Sequence, residues 1–278
     1  MSFKNTKVAE LPHMEWTAHI DSRFAERSIA EITLGAVHRA DRALDLLLHP
    51  HHRELRHRSV NDHTVTTKVQ QIIDQNADGG MRFVQIGAHD GEFDDPFAQR
   101  IQNHGWLSLL VEPQSDAYLK LYNRYTDNPN VTPINVAIGE KAGYLTLHKA
   151  VLSGTFKNQG TAIAATSKEQ VRREVMRNAG YFHGVRAKIV REQVEMITLP
   201  QLFDITGKDP SSIDFFACDT EGYDTKIMGQ LLSTGAKPEF IQYEHLHAPK
   251  DEVESIDRRL RLGGYTLLRT HKDTFAYR

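Results

Sequence analysis

A single cysteine, Cys218, stands among the 278 residues, which excludes an internal disulfide and a cysteine-built metal cluster. Charge of one sign is also missing. The 34 Lys and Arg against 36 Asp and Glu leave a net charge of −2, so there is no global attraction for nucleic acid or an anionic membrane, and no nucleic-acid partner is expected. No apolar run approaches the roughly 20 residues of a membrane span, and the start Met1-Ser2-Phe3-Lys4-Asn5 lacks the apolar core of a signal peptide. A cytoplasmic protein without a membrane span is expected. Absent a secretory route, Asn130-Val131-Thr132 is a chance match to a glycosylation acceptor. The chain has no internal repeat and no low-complexity tract. With 40% hydrophobic and 25% charged residues, it has material for one substantial core carrying an appendage rather than two independent domains.

What is present is a short apolar strand running into a glycine-spaced loop, Phe83-Val84-Gln85-Ile86-Gly87-Ala88-His89-Asp90-Gly91, and downstream an acidic strand end, Leu109-Leu110-Val111-Glu112. Glycines let backbone approach a ligand closely, and an acid ending the next strand can hold both hydroxyls of a ribose. The pair reads as a nucleoside-cofactor site. It does not by itself name the cofactor, because a dinucleotide fold also places an acid roughly 20 residues beyond its glycines. The far end of the chain discriminates. Tyr265-Thr266-Leu267-Leu268-Arg269 and Thr274-Phe275-Ala276-Tyr277 are separated by four residues, a connection that allows only an antiparallel hairpin. A mostly parallel α/β sheet with an antiparallel C-terminal strand and helices on both faces is the Rossmann-like layout of class I S-adenosylmethionine methyltransferases. A dinucleotide fold would close with another parallel strand.

Residues 1–75 differ from the rest. Ile29, Ile32, Ala36, Val37, Ala40, Leu44 and Leu47 recur at helical spacing with no strand pattern, which predicts a helical N-terminal extension packed on the catalytic domain or pairing two copies as a homodimer. The His49-Pro50-His51-His52 cluster reads as a solvated loop around a helix-breaking proline rather than a metal site. In the expected catalytic domain, residues 76–278, the chain alternates strand and helix in α/β fashion from Met81 onward. Asp95 and Pro96 read as the cap and first position of a helix. Tyr118, Leu121, Tyr122 and Tyr125 read as the buried face of the next one. A third strand is expected over 131–138, with Asn135 and Ala137 near its end. Residues 151–191 form a long, polar, Gly-containing stretch with a helix around 168–177, expected to be a lid or substrate-selecting insertion. Its Arg172, Arg173, Arg177, Arg186, Lys188 and Arg191 read as a solvated face, the alternative being a grip on an anionic acceptor.

The chain resembles the FkbM family of methyltransferases over roughly residues 81–278. The resemblance rests on the glycine loop, Val111-Glu112-Pro113, Asn135-Val136-Ala137-Ile138, the run from Ile213 into Asp219-Thr220-Glu221-Gly222-Tyr223-Asp224, and Tyr243-Glu244-His245, in that order. It implies S-adenosylmethionine-dependent methylation, usually of a hydroxyl on a sugar or natural-product scaffold. Carried over by position, Gly87, Ala88 and Gly91 would line the methionine portion, Glu112 the ribose, and Asn135 with Ala137 the adenine. Asp219 would lie near the donor's amino group or a metal. Many methyltransferases carry an acid where this chain has Gln85, whose amide oxygen accepts a hydrogen bond without charge.

Hydroxyl methylation needs a proton acceptor, because a neutral alcohol is a poor nucleophile. His245 and His247, in the run Glu244-His245-Leu246-His247 that ends the fifth core strand, expected over Phe240 to Tyr243, are the candidate bases, with Glu221 a third. Alternatively Asp219, Glu244 and His245 hold a divalent cation such as Mg that acidifies the hydroxyl. Strand alternation points Glu244 and His245 to opposite faces, so that set depends on the strand ending there. Glu221 also reads as a first-turn helix acid, and Cys218 as a small buried hydrophobe. A metal-dependent hydrolase would use the same acids and histidine but leave the glycine loop and Glu112 without purpose. A noncatalytic nucleoside-binding or scaffold protein would have no use for the polar cluster at Asp219, Glu221, Glu244 and His245.

Overall fold

A computed structural model of the chain describes residues 50–76, 80–92, 95–153, 164–177 and 186–278. The expected apolar stripe that includes Ile29 and Leu47, and the middle of the 151–191 insertion, lie outside the described residues. The chain falls into two compact units. One holds residues 56–144 and 195–278; residues 50–55 and the described part of 145–194 belong to the other.

The larger unit is built on seven strands: β1 (Arg82–Ile86), β2 (Leu107–Val111), β3 (Val131–Ile134), β8 (Phe215–Cys218), β9 (Phe240–Glu244), β10 (Thr266–Arg269) and β11 (Asp273–Tyr277). Their order across the sheet is β10-β11-β9-β8-β1-β2-β3. β1 pairs parallel with β2 and β8, β2 with β3, and β8 with β9; β11 is antiparallel to both β9 and β10. The short link after Arg269 therefore makes the hairpin that its length requires. This is the class I methyltransferase arrangement, with α/β layers and a single reversed strand, anticipated from the sequence.

Among the described residues, three helices cover each face of the sheet, because the central strands are apolar on both sides. On one face Val84, Ile86, Phe216 and Ile241 pack with α5 (Leu199–Thr206), α6 (Asp224–Ser233) and α7 (Lys250–Leu262) through Leu202, Ile227, Met228, Leu231 and Leu260. Thr198 and Gln201 start α5 as a reciprocal capping box. On the other face Phe83, Phe215 and Phe240 meet α1 (Pro50–Asn76) through Val69 and Ile73, α2 (Ala98–Asn103) through Ile101, and α3 (Ser115–Tyr125) through Leu121 and Tyr125. Here Phe83 stands 5.0, 5.2 and 5.1 Å, centroid to centroid, from Phe97, Trp106 and Phe215. Such tilted pairs add about 0.5–1.5 kcal/mol each beyond the area they bury.

Several local expectations are corrected. Pro50, His51 and His52 open α1 instead of forming a loop; proline is tolerated in a first turn because its missing N–H would have no intrahelical partner. Further along α1, Asp62 accepts from the backbone N–H of His271 at 2.9 Å and meets its ring as well, tying the helix to the β10–β11 turn. Asp95 accepts from Phe97 N at 2.8 Å, but the helix begins later, at Ala98. In α3 the buried residues are Ala117, Leu121 and Tyr125, while Tyr122 is exposed and lies against the half-buried Tyr118. The expected third strand is broken at Asn135 and Val136: β3 belongs to the large sheet, whereas β4 (Ala137–Ile138) pairs with the end of β7 (Arg186–Ile197) in a second sheet.

The insertion is not strandless. β5 (Gly143–Ser153), β6 (Ala164–Ala165) and the first part of β7 bracket α4 (Lys168–Arg177), whose Val171 and Val175 pack on Ala150 and Ala165. Arg172 and Arg173 lie on its exposed face. Among the described residues, no helix is long and apolar enough to cross a membrane.

Candidate active site

Strand register assembles the site. Ile134 pairs with Val111, Val111 with Ile86, Ile86 with Cys218, and Cys218 with Tyr243, while Glu244 faces Asp273. The residues at or just beyond these positions form a row along the carboxyl edge of the sheet: Asn135, Glu112, Gly87, Asp219, Glu244 and Asp273. The strand order reverses between β1 and β8, and open α/β sheets bind ligands at such a switch point.

The loop after β1 is sewn to its neighbours by backbone. Gly87 N and Ala88 N both donate to Val111 O, at 2.8 and 3.0 Å, Gly91 N donates to Ala88 O at 3.1 Å, and Asp219 N donates to Ile86 O at 3.0 Å. Gly87 has φ +85°, and a β-carbon there would lie 1.9 Å from Asp219 O. Only glycine fits this crossing. Glu112 is 3% exposed; its Oε2 accepts from His89 N and its Oε1 from Gln114 N, each at 2.8 Å. Burial pushes its carboxyl up to about 7 against the opposing pull of those two N–H donors.

Two of the residues expected to meet the cofactor have different surroundings from those their positions suggested. Asn135 Nδ2 donates to the carbonyls of Glu112 and Pro113, at 2.8 and 3.0 Å, so its amide fixes the turn after β2. Ala137 is buried in β4, paired with Met196. Gln114, not singled out from the sequence, joins the site through Glu112; its place two residues beyond that acid was the available signal.

The site suits a donor bearing an ammonium and an exocyclic amine. Gln85 Oε1 and Gln114 Oε1 are buried acceptors with no hydrogen-bond partner among the described residues. Each such orphan costs about 1–3 kcal/mol until a donor arrives. S-adenosylmethionine presents N–H donors, which Gln85 and Gln114 lack, and two ribose hydroxyls suited to the lone pairs that Glu112 keeps beyond its two backbone N–H donors. By this test the residues fit the cofactor.

Among the described residues, two non-glycine residues have positive φ, His89 at 48° and Glu221 at 56°, and they lie in the loops after β1 and β8. Strain of this kind persists only where the surroundings impose it, and it gathers at functional sites. After Glu221, the buried Asp224 gathers the loop: its Oδ2 accepts from Thr220 Oγ1 at 2.9 Å and from Gly222 N at 3.3 Å. Burial, and then Asp219, raise its carboxyl to about 6. Gly222, at φ +107°, leaves room for His247, whose Cβ and O would stand 3.1 Å from a β-carbon at 222.

His247 therefore turns back over the β8 loop. Its Nδ1 lies 3.1 Å from Glu244 Oε2 and 3.4 Å from Glu221 Oε2. Among the described residues, the set whose ligand atoms converge within 4.8 Å is Glu221, Glu244 and His247. It differs from the set expected from sequence, Asp219, Glu244 and His245. The physical reason is strand alternation followed by a turn: β9 ends at Glu244, His245 points away, and the turn returns His247 to the side of Glu244. Asp219 lies near enough to raise the Glu244 carboxyl, after burial, toward 8. His245 Nδ1 is 3.0 Å from Thr274 Oγ1, and its backbone N–H donates to Lys272 O at 2.8 Å. Burial, then the charge of Arg269, lowers its ring to about 4, which makes it a weak proton acceptor.

The methyltransferase FkbM domain family matches residues 85–267, which contain the glycine loop, Glu112, Asp219 and the Glu221–Glu244–His247 group. No curated protein matches the chain. Similar solved structures include methyltransferase FkbM from Methylobacillus flagellatus KT, at 15% identity and TM-score 0.43, covering 71% of this chain and 44% of that one. The N-terminal domain of human METTL16 in complex with SAH follows at 10% and 0.38, covering 77% and 69%. Aeropyrum pernix fibrillarin with natively bound S-adenosyl-L-methionine stands at 10% and 0.32, covering 71% and 66%. The chain thus spans less than half the length of the Methylobacillus protein.

Proposed function

The chain belongs to the FkbM family of S-adenosylmethionine-dependent methyltransferases, and we propose that it methylates a hydroxyl oxygen on a sugar or natural-product acceptor. The observation that supports the proposal is the row of strand ends, which we read as a donor half beside an acceptor half. Gln85, Gly87, Ala88, Gly91, Glu112 and Gln114 form the donor half. Asp219 stands at the centre, and Glu221, Glu244 and His247 form the acceptor half.

S-adenosylmethionine supplies an electrophilic methyl carbon, and an oxygen acceptor must lose its proton as the new carbon–oxygen bond forms. Carboxylates and an imidazole on the acceptor side suit that need. They also suit acceptors rich in hydroxyl groups, which donate hydrogen bonds to carboxylates. Gly87, Ala88 and Gly91 offer close backbone approach for the methionine portion, and Glu112 offers two carboxylate oxygens for the ribose.

Release of the demethylated donor from S-adenosylmethionine, followed by mass spectrometry across a panel of sugars, glycosides and hydroxylated natural products, tests the reading. A 14-mass-unit gain on an acceptor, stable to conditions that hydrolyse methyl esters, is the expected result. Methyl transfer only to nitrogen or carbon acceptors would overturn the hydroxyl part of the proposal.

A further inference from the structure

The arrangement of Glu221, Glu244 and His247 is informative because both carboxylates approach the same ring nitrogen. Glu244 Oε2 and Glu221 Oε2 stand 3.1 and 3.4 Å from Nδ1 of His247. One ring nitrogen carries at most one proton, and a protonated imidazole serving two carboxylates would best use both its nitrogens. Two carboxyl oxygens gathered about one nitrogen repel each other when both are ionised, unless a positive charge lies between them. The separations match neighbouring ligands around a common centre: two ligand atoms each about 2.1 Å from an ion, at right angles, lie about 3 Å apart.

Glu244 adds a second indication. It is 5% exposed, and among the described residues its hydrogen-bond partner is His247 alone. A buried carboxylate with so little compensation is costly unless paired or metal-bound. Asp219, Asp224 and Asp273 add charge of the same sign around it, opposed by Lys272.

We propose that Glu221, Glu244 and His247 bind a divalent first-row metal cation, whose open positions take the acceptor's hydroxyl oxygen. One imidazole with two carboxylates suits Mn or a similar ion better than Ca, which takes an all-oxygen shell. Three protein ligands leave positions free, as catalytic metal sites require. A coordinated hydroxyl loses its proton to water more readily. The oxygen's electron pair then forms the bond to the donor's methyl carbon, and the pair of the breaking carbon–sulfur bond remains on sulfur. This role rests on the O-methylation reading; binding of the cation does not.

The test is titration of the full-length, chelator-stripped protein with Mn2+ alone, followed by electron paramagnetic resonance. One saturable ion per chain is expected, with pulsed measurements showing nitrogen modulation from an imidazole. Glu244→Gln, Glu221→Gln and His247→Gln should each weaken binding at least tenfold, and His247→Gln should remove the nitrogen signal. Absence of saturable binding up to about 1 mM, or binding that ignores all three substitutions, overturns the proposal. Should the buried Glu244→Gln fail to fold, Glu221→Gln, whose side chain is 43% exposed, carries the same test. Calorimetric titration of the same samples with S-adenosylmethionine separates the two ideas. Donor binding without Mn2+ binding sinks the cation and leaves methyl transfer standing, and the reverse result sinks the donor reading.

Discussion

The carbonyl oxygen of Asp219 occupies the space a side chain on Gly87 would need, 1.9 Å from the β-carbon position. The loop after β1 and the end of β8 are thus in backbone contact at the point where the strand order reverses. Gly87→Ala combines that overlap with a left-handed backbone at φ +85°, so either the loop or Asp219 must move. The cost is about 2–4 kcal/mol in stability. Donor affinity should fall at least tenfold as the loop leaves Glu112. Thermal denaturation and calorimetry check this, and a variant with native melting and native affinity contradicts the geometry.

Glu112 predicts a pH dependence. Its folded-state carboxyl is raised to about 7 from an ordinary 4.5, so folding favours the neutral form. The corresponding stability is fully present below about 4.5 and is lost as pH rises through 7. Donor binding has the opposite sense, because ribose hydroxyls donate best to an ionised carboxylate. Affinity for S-adenosylmethionine should rise by up to tenfold per unit between pH 5.5 and 7 and level off above. Glu112→Gln should flatten the profile, and Glu112→Ala should weaken binding by about 1.5–3 kcal/mol. A flat wild-type profile in calorimetry would remove Glu112 from the donor site.

Much of this site was legible because it follows from short-range rules. The four-residue link after Arg269 permits only a hairpin, and the apolar runs ending at Ile86, Val111 and Cys218 put Gly87, Glu112 and Asp219 at one edge of a parallel sheet. What the sequence did not show depends on tertiary contact. Nothing local indicates that Asn135 turns its amide onto the carbonyls of Glu112 and Pro113, or that Tyr122 lies outside the buried stripe of α3. Nor does it show that the turn after Glu244 folds His247 over Gly222. Period-two alternation separated Glu244 from His245 but says nothing beyond the strand, where the partner proved to be. Runs at 144–149 and 194–197 read as strands, but their extensions into the insertion were hidden by polarity, as in Arg186-Ala187-Lys188, which reads as a charged surface run.

The aromatic cluster behind the donor loop makes a stability prediction separable from function. Phe215 is fully buried, with ring centroids 5.1 Å from both Phe83 and Phe97 and 5.9 Å from Phe240. Phe215→Ala should cost about 3–5 kcal/mol in urea unfolding, the usual price of emptying a packed aromatic site. A loss below about 1 kcal/mol would mean that the sheet face collapses to fill the space.

The two histidines after β9 make the sharpest contrast. His247 converges with Glu221 and Glu244, whereas His245 is turned toward Thr274 and bonded through its backbone to Lys272 O. His247→Ala should therefore lower turnover by about 10²- to 10⁴-fold, the range for losing a group that helps ionise the acceptor's hydroxyl, while leaving donor affinity within a few-fold. His245→Ala keeps the backbone bond to Lys272 and loses only the contact with Thr274, so turnover should fall less than tenfold, with a modest loss of stability. Demethylated-donor release measures turnover for both, using the acceptor found by screening. If His245→Ala is the more damaging in turnover while both variants melt like the wild type, the proton leaves on the His245 face, and the convergence on His247 is a structural contact without a part in the reaction.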